Sequence, residues 1–546
     1  MRFIGRAGMR RTTAALLSTV VLAGLAACSD EQSSSRPPLD PDPVATPVPE
    51  DQLTLAVWGS RAEIDTYERL MAEYSVISET SDVEVVAFSD REEAMAALAA
   101  GEVDPDVFMA SRRDLSWLRD EGRTSPVDEL LDERFVEFGD VYSRDALLAF
   151  SADRRLQCMP FEISPTVVFY NTDLIDFERM EARGLEAPSS ASRWSFEEFQ
   201  AAAEFATRPR KGTRGVYVDP SLAGLAPFVY AGGGNLFDDD DAPTSLAFSE
   251  DSTRDALETT LGLLRNGPLT LSSRQLAQAT ALQWFRRGKL GMITGDRSWV
   301  PQLRLTQGLA FDVMPIPTIE TSATTGELTG FCLARRPVSL SGAADLLVHL
   351  ISDDVVRPLT RTGFLVPANQ QVALSEDFLQ PGRQPVEAGV FTDSADDMVI
   401  PPLLDTWGEL QRAVDDQVAQ LVTAPGVLDL EGASATIDFA SQLVLAPELV
   451  LDTGEELVEG ADCGGEPMVL KVARFDADDM ERDPEIVTED PAGVRFLKNR
   501  EAFTIAMVPA DVDPPAPRPE RLTFLDMVSP NALTSNPSAP APTTSE

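Results

Sequence analysis

Short apolar runs alternate with amphipathic stretches through the part of the chain that follows its first fifty residues. Residues 53–57 have the composition of a buried strand, and the apolar side chains within 64–74 recur at helical spacing. Residues 83–88 resemble a second strand, and a helix cap at Asp90 separates it from a third strand expected at 106–110. This order predicts a parallel sheet with helices on its faces.

The middle of the chain continues this alternation. A strand is expected at 167–170, and a helix begins at Ser195, where Glu198 completes a capping box and Trp194 can pack on Phe199. The fold class is therefore α/β.

Three later stretches differ in how clearly they are patterned. Residues 276–287 are predicted to form one helix before a strand at 290–294. Residues 343–351 are helical in pattern and contain the only histidine, His349, for which a structural role is expected. Residues 428–443 are only weakly periodic, so a closing helix is hard to place there.

The N-terminus has the features of a secretory signal rather than a membrane span. Four arginines precede a short apolar run at 14–23, and small residues lead into Cys28, whereas a span needs about 20 apolar residues. The site is similar to the lipobox of bacterial lipoproteins, which implies cleavage after residue 27 and acylation, palmitate included, of Cys28. An ordinary signal peptide with a chance cysteine is the alternative.

Composition restricts the partners that the chain can bind and indicates which segments lie outside the folded body. The formal net charge of −44 argues against a nucleic-acid partner and against electrostatic adhesion to anionic lipid. Residues 28–50, rich in Ser, Pro and Asp, are expected to be a flexible tether. Residues 446–520 are expected to be an acidic, β-rich extension and 521–546 a disordered tail, and the sequence does not indicate a role for either.

Three cysteines remain after Cys28, namely Cys158, Cys332 and Cys463. In an oxidising exported compartment a disulfide between two of them is expected, which leaves one over. Their spacing fits no zinc motif, and a single histidine cannot form a His-based cluster. No metal and no cofactor are therefore expected.

Several motifs occur in an order that resembles the family 1 extracellular solute-binding proteins, the sugar-type receptors of ABC importers. The resemblance covers about 53–443 and rests on six segments: MPFE at 159–162, YNTDL at 170–174, WSFEEF at 194–199, AGGGN at 231–235, FRRGKLGM at 285–292 and GFLVPA at 363–368.

The resemblance implies a two-lobed, periplasmic-binding-protein-like fold of type II with crossing hinge strands. Lobe 1 would comprise 51–158 and 332–365, and lobe 2 would comprise 159–331 and 366–445. Cys158 and Cys332 would then lie on neighbouring crossing strands, close enough to form a disulfide, with Cys463 as a competitor.

A sugar site needs aromatic faces for stacking and precisely placed polar groups in a cleft. In parallel sheets ligands bind beyond the carboxyl ends of the strands. Strand ends and motif positions together give the expected ligand-binding residues: Trp58, Arg61, Ser111, Glu162, Ser164, Asn235, Asp296, Trp299 and Trp407. Core packing is the alternative for each tryptophan, and a hinge salt bridge is the alternative for Glu162.

The function expected from these features is a lipid-anchored, monomeric receptor at the outer face of the bacterial cytoplasmic membrane. It would capture a small solute, for which a carbohydrate is the leading candidate, and deliver it to ABC permease subunits without catalysis. A receptor for a peptide, polyamine or metal chelate, an exported glycoside hydrolase and a non-binding scaffold remain the alternatives. A serine hydrolase is disfavoured because no Gly-x-Ser-x-Gly motif occurs.

Overall fold

The computed structural model describes residues 51–78, 81–136, 139 and 141–447, and three further strands within 468–509. The predicted signal, Cys28 and the tether lie outside the described residues, as do Cys463 and the predicted tail at 521–546.

The strands, numbered in chain order, are β1 Asp51–Trp58, β2 Ser81–Phe88, β3 Val107–Ser111, β4 Thr124–Ser125, β5 Ser151–Ala152, β6 Arg155–Leu156, β7 Cys158–Pro165, β8 Val167–Asn171, β9 Arg214–Tyr217, β10 Leu290–Gly295, β11 Phe311–Met314, β12 Gly326–Ala334, β13 Met468–Asp476, β14 Glu485–Val487 and β15 Glu501–Pro509.

The helices are α1 Arg61–Ile77, α2 Arg91–Ala100, α3 Leu115–Asp120, α4 Asp128–Asp132, α5 Arg144–Ala149, α6 Phe177–Glu181, α7 Phe196–Ala206, α8 Leu222–Ala231, α9 Asp251–Leu264, α10 Ser273–Leu276, α11 Ala281–Arg286, α12 Val300–Arg304, α13 Leu340–Leu350, α14 Asp353–Thr362, α15 Gln370–Ala373, α16 Glu376–Leu379, α17 Gly389–Asp396, α18 Trp407–Thr423 and α19 Leu430–Leu445, with 3-10 turns at Arg112–Asp114, Pro209–Lys211 and Arg297–Trp299.

The first lobe is built on a sheet in the order β2-β1-β3-β12-β4, with β7 also paired to β12. Strand β1 runs parallel to β2 and β3, which confirms the parallel sheet predicted from the alternating pattern. Strand β12 adds antiparallel to β3, pairs antiparallel with β7, and comes from much later in the chain than either of them. The long separation in sequence means that no local pattern could have placed β12.

The second lobe is built on a sheet in the order β11-β8-β10-β9. Strand β8 is central and buried on both faces, because Val168 packs in one hydrophobic cluster while Val167 and Phe169 pack in another. The predicted capping box of α7 is present at Ser195, and Trp194 packs edge-on against Phe199 with ring centroids 5.3 Å apart.

The two lobes are joined by crossing segments. Strand β7 pairs with β12 in the first sheet, and after Thr166 the chain continues as β8 of the second. A third segment passes beside β7, where the amide of Ile163 donates to the Val366 carbonyl and that of Ala368 to the Phe161 carbonyl. A disulfide between Cys158 and Cys332, the pair that the resemblance implied, links β7 to β12.

One helical prediction was wrong in detail, and one stretch that was hard to assign is helical. The single helix expected at 276–287 is interrupted, because Thr280 starts a new capping box with Gln283 at the N-terminus of α11. The weakly periodic stretch near the end of the body is the regular helix α19. It buries Ser434 and Ser441 along with Ile437, so its inward face does not show as apolar in the sequence.

Beyond the two lobes, β13 pairs antiparallel with both β14 and β15. These strands contain the apolar runs at 468–472 and 503–508 that predicted a β-rich extension.

Candidate functional site

A cavity of about 190 Å³ lies between the lobes, beside the crossing strands. Its lining comes from the end of β7, the start of β12, the turn after β3, α8, the residue after β10 and the first residue of α18. The lining residues are Arg113, Ser164, Thr166, Leu222, Ala223, Ala226, Leu236, Asp296, Thr325, Gly326, Glu327, Pro401 and Trp407.

Glu327 connects the first sheet to this cavity. One carboxylate oxygen accepts from the Ser111 hydroxyl at the carboxyl end of β3. The other oxygen pairs with Nη2 of Arg113 at 2.7 Å. The guanidinium of Arg113 also lies over the ring of Trp407, 5.4 Å from its centroid, so a first-lobe cation meets a second-lobe aromatic at the cavity wall.

Glu162, on β7, lies beside the same cavity. The hydroxyl of Ser164, which lines the cavity, donates to Oε1 of Glu162 at 2.6 Å. Burial, and to a lesser extent the negative charges of Glu63, Asp296 and Glu327, raise the pKa of Glu162 to about 8, although the hydrogen bond from Ser164 acts in the opposite direction. Near neutral pH this carboxyl is therefore mostly protonated and can both donate and accept hydrogen bonds.

Trp407 and Asp296 supply second-lobe groups to the wall. Trp407 begins α18, is half-buried, and packs near Phe237 with ring centroids 6.0 Å apart. Its indole N–H is buried, and within the described residues it has no hydrogen-bond partner. Asp296 caps the 3-10 turn that follows β10, accepting from the Ser298 amide at 2.9 Å.

Of the nine residues expected to bind ligand, Ser164, Asp296 and Trp407 line the cavity. Ser111 and Glu162 reach it through hydrogen bonds to Glu327 and Ser164. These five come together beside the crossing strands. Their contact with a solute stays a prediction.

The other four residues lie elsewhere. Arg61 is exposed and pairs with Asp65 at 2.8 Å, and Asn235 is exposed on its turn. Trp299 packs on Phe169 with ring centroids 5.8 Å apart, and Trp58 packs partly against the first-lobe core. Their assignment as ligand contacts also stays a prediction.

Sequence reasoning missed Arg113 and Glu327. Arg113 follows β3 by two residues, and its position just beyond the carboxyl end of a strand is the sequence signal for it. Glu327 is brought in by the pairing of β12 with β7, where it lies opposite Ser164. Gly326 permits that approach, because a Cβ there would come within 2.3 Å of the Ser164 carbonyl oxygen.

A second, larger cavity of about 770 Å³ shares Arg113 and Trp407 with the first. It lies between α2 and α3 of the first lobe and the N-terminal half of α18, and polar side chains including Arg91, Gln411 and Arg412 line it. The Arg113–Trp407 contact therefore stands between an inner cavity and an outer groove.

A family model described as "Bacterial extracellular solute-binding protein" matches residues 79–382, more than half of the chain. The chain belongs to this family. No curated protein sequence matches it significantly.

Solved structures of similar fold are sugar-binding receptors of ABC transporters. A Listeria monocytogenes ABC substrate-binding protein in complex with cycloalternan has a TM-score of 0.61 at 16% identity, covering 71% of this chain and 97% of that one. The acarbose-binding GacH receptor of Streptomyces glaucescens scores 0.58 at 18%, covering 72% and 98%. The Listeria monocytogenes maltose-binding protein MalE scores 0.58 at 16%, covering 74% and 99%. The likeness establishes the two-lobed fold.

Among the described helices, none combines the length and hydropathy that crossing a membrane requires.

Proposed function

We propose that this chain is the lipid-anchored receptor of an ABC importer, which captures a carbohydrate between its lobes and delivers it to a membrane permease. The observation that carries the proposal is the cavity at the crossing strands. There an aromatic ring, Trp407, lies beside the guanidinium of Arg113 and the carboxyl groups of Asp296 and Glu327. Sugar sites combine such an aromatic surface with a few convergent polar groups.

Each wall of the cavity offers one element of sugar recognition. The Trp407 ring presents an apolar face to a pyranose, and Glu327 and Asp296 accept from hydroxyl groups. Protonated Glu162 adds a donor next to Ser164. Trp58, Arg61, Asn235 and Trp299 remain proposed contacts, to be tested by substitution.

The ligands of the similar proteins support a carbohydrate. Cycloalternan, acarbose and maltose are bound by receptors that share this fold at 16–18% identity. At this identity they support the class of solute and leave its identity to experiment.

The membrane attachment and the partners belong to the same proposal. Acylation of Cys28 and the tether at 28–50 would hold a monomeric receptor at the outer face of the cytoplasmic membrane, at high local concentration near its permease. The receptor would release its solute chemically unchanged. Metabolic labelling with an acyl-chain analogue, compared between wild type and Cys28→Ala, tests the anchor.

A cationic solute such as a polyamine is the second candidate. Asp296 and Glu327 line the cavity, Glu162 lies beside it with Glu63 near enough to raise its pKa, and the lining cation Arg113 is already engaged by Glu327. Such a surplus of acidic groups favours a positively charged ligand.

A thermal-shift screen against sugars, oligosaccharides, polyamines and peptides separates the candidates. A solute at 100 times its dissociation constant stabilises the folded state by about 2.7 kcal/mol. Chromatography of the recovered solute then distinguishes binding from hydrolysis. Stabilisation by none of these classes would contradict the receptor proposal.

A further inference from the structure

Arg297 and Arg304 of the second lobe contact one short segment, 378–384, which itself contains Arg383, and none of the three arginines lines the interlobe cavity. Arg297 donates from Nη2 to the Phe378 carbonyl at 2.7 Å. Nη1 of Arg304 and Nη1 of Arg383 both donate to Oε1 of Gln380, at 2.6 Å and 3.1 Å. Two guanidinium groups thus share a single neutral oxygen.

No carboxylate of the described residues forms an ion pair with any of these three arginines. Asp377, the acid closest in sequence to Gln380, is already engaged by Arg357 at 3.1 Å and Arg361 at 2.7 Å. The chain contains 89 acidic and 45 basic residues, so a group of cations without an acidic partner is unexpected.

Burial makes this arrangement costly. Arg297 is fully buried, 3.9 Å from the ring centroid of Phe378, and its Nε and Nη1 have no partner in the described part of the chain. Nη2 of Arg304 is also buried and unpartnered there. Burial and the neighbouring cation lower the pKa of Arg297 to about 9 and that of Arg304 to about 10. Buried charges of one sign are normally compensated by an opposite charge.

We propose that Arg304 and Arg383 bind a phosphate-type oxyanion where Gln380 Oε1 now accepts, with Arg297 as a buried positive charge behind them. This site is independent of the solute-binding function proposed above. Guanidinium groups are the preferred protein donors for phosphate oxygens, since each can present two parallel N–H groups. A charged acceptor would also form stronger hydrogen bonds than the amide oxygen of Gln380.

The surroundings leave the site accessible from one side. Arg383 is exposed, and so are two apolar side chains close to these arginines in sequence, Leu305 (85%) and Val386 (71%). Gly363 leaves room for the Arg304 guanidinium, because a Cβ there would stand 3.2 Å from Nη1. The oxyanion can therefore come from free inorganic phosphate or from the headgroup of an anionic phospholipid, whose chains the exposed apolar residues would meet.

The test uses the processed, full-length protein in phosphate-free buffer. Inorganic phosphate is titrated at constant ionic strength, so that general screening stays fixed. Vesicles of phosphatidylglycerol form the second arm, with phosphatidylcholine vesicles as their reference. Arg383→Gln and Arg304→Gln are compared with Arg274→Gln, which removes an exposed arginine of α10 that lies outside this cluster.

We expect wild type and Arg274→Gln to bind one of the two probes, and Arg383→Gln to bind it roughly tenfold more weakly. A phosphate response identifies the free ion, and a response only to phosphatidylglycerol identifies the headgroup. Gln380→Ala should keep or strengthen binding, because it removes the competing oxygen. If Arg304→Gln does not fold, the exposed Arg383→Gln still decides the outcome. No binding of either probe, or equal binding by Arg383→Gln and Arg274→Gln, would overturn the proposal.

Discussion

The two ends of the β7–β12 ladder differ in how they hold the crossing strands together. At one end Cys158 lies opposite Cys332, both are fully buried, and a disulfide joins them. At the other end Ser164 lies opposite Glu327, half-exposed at the cavity wall. Between the two ends the register shifts at Thr329 and Gly330, which marks a β-bulge.

This difference separates the covalent attachment from the proposed solute-binding wall along a single pair of strands. The covalent end fixes the strands within the first-lobe core, and the polar end is held only by hydrogen bonds and an ion pair, so it can rearrange around a solute. The bulge between them allows the strands to bend there. Substitutions at the two ends should therefore affect different properties of the protein.

The largest effect is expected at the covalent end. Replacing both Cys158 and Cys332 by serine frees a loop with a sequence separation of 174 residues, which should lower the free energy of unfolding by about 4 kcal/mol. Urea denaturation measures the loss, and solute titration should show nearly unchanged affinity in the folded variant. An unchanged denaturation midpoint would show that the covalent link adds no stability.

The next effect is expected at the cavity wall. Trp407→Ala removes the aromatic surface and the partner of Arg113, and should weaken solute binding by about 1.5 kcal/mol, roughly tenfold. Calorimetric titration with the solute found in the screen measures this change. The matched control is Trp284→Ala, since Trp284 is also half-buried but lies outside the cavity lining. An equal loss of solute affinity in both variants would show that Trp407 does not contact the solute.

A smaller effect on stability is expected from the ion pair at the polar end. Glu327→Gln leaves Arg113 without its carboxylate, and because both side chains are 34% exposed the loss should be about 1 kcal/mol. The same change should weaken solute binding, whereas Glu68→Gln on the exposed face of α1 should change neither property. Added salt should reduce the difference between wild type and Glu327→Gln; a difference that salt does not alter would argue against an ion-pair origin.

The smallest effect is a change in pH dependence. The pKa of Glu162 is raised from 4.5 to about 8 in the folded state, so its contribution favours folding at low pH. That contribution is fully present below pH 4.5 and is lost as the pH rises toward 8. Thermal unfolding of Glu162→Gln across this range should therefore show a flatter profile than wild type. Two parallel profiles would mean that Glu162 does not titrate in this window.

Local patterns predicted the start of the first lobe and one helix of the second lobe well. The strand and helix periods before residue 111, and the capping box at Ser195 of α7, correspond to elements of the structure because short-range interactions specify them. The crossing strands were predicted from the motif resemblance and not from local patterns, because β12 pairs with β3 and β7 from far along the chain.

The candidate site was only partly predictable, for physical reasons. Glu327 reaches the cavity through strand pairing over 160 residues of sequence, which no local pattern encodes. Trp299 follows the end of β10, where a ligand contact was expected, but its ring packs on Phe169 and it does not line the cavity, so its contact with a solute stays a prediction. Strand ends thus indicate where a site lies, but the direction of each side chain depends on the packing around it.

Because the pKa of Glu162 is raised to about 8, a solute that contacts this carboxyl is expected to change its protonation on binding. A neutral sugar that accepts a hydrogen bond from this carboxyl would favour its protonated form, so binding near pH 8 would take protons up from the buffer. A cationic solute would favour the ionised form and release protons instead. Calorimetry in two buffers of different ionisation enthalpy counts these protons, and the sign of the count distinguishes the two kinds of solute.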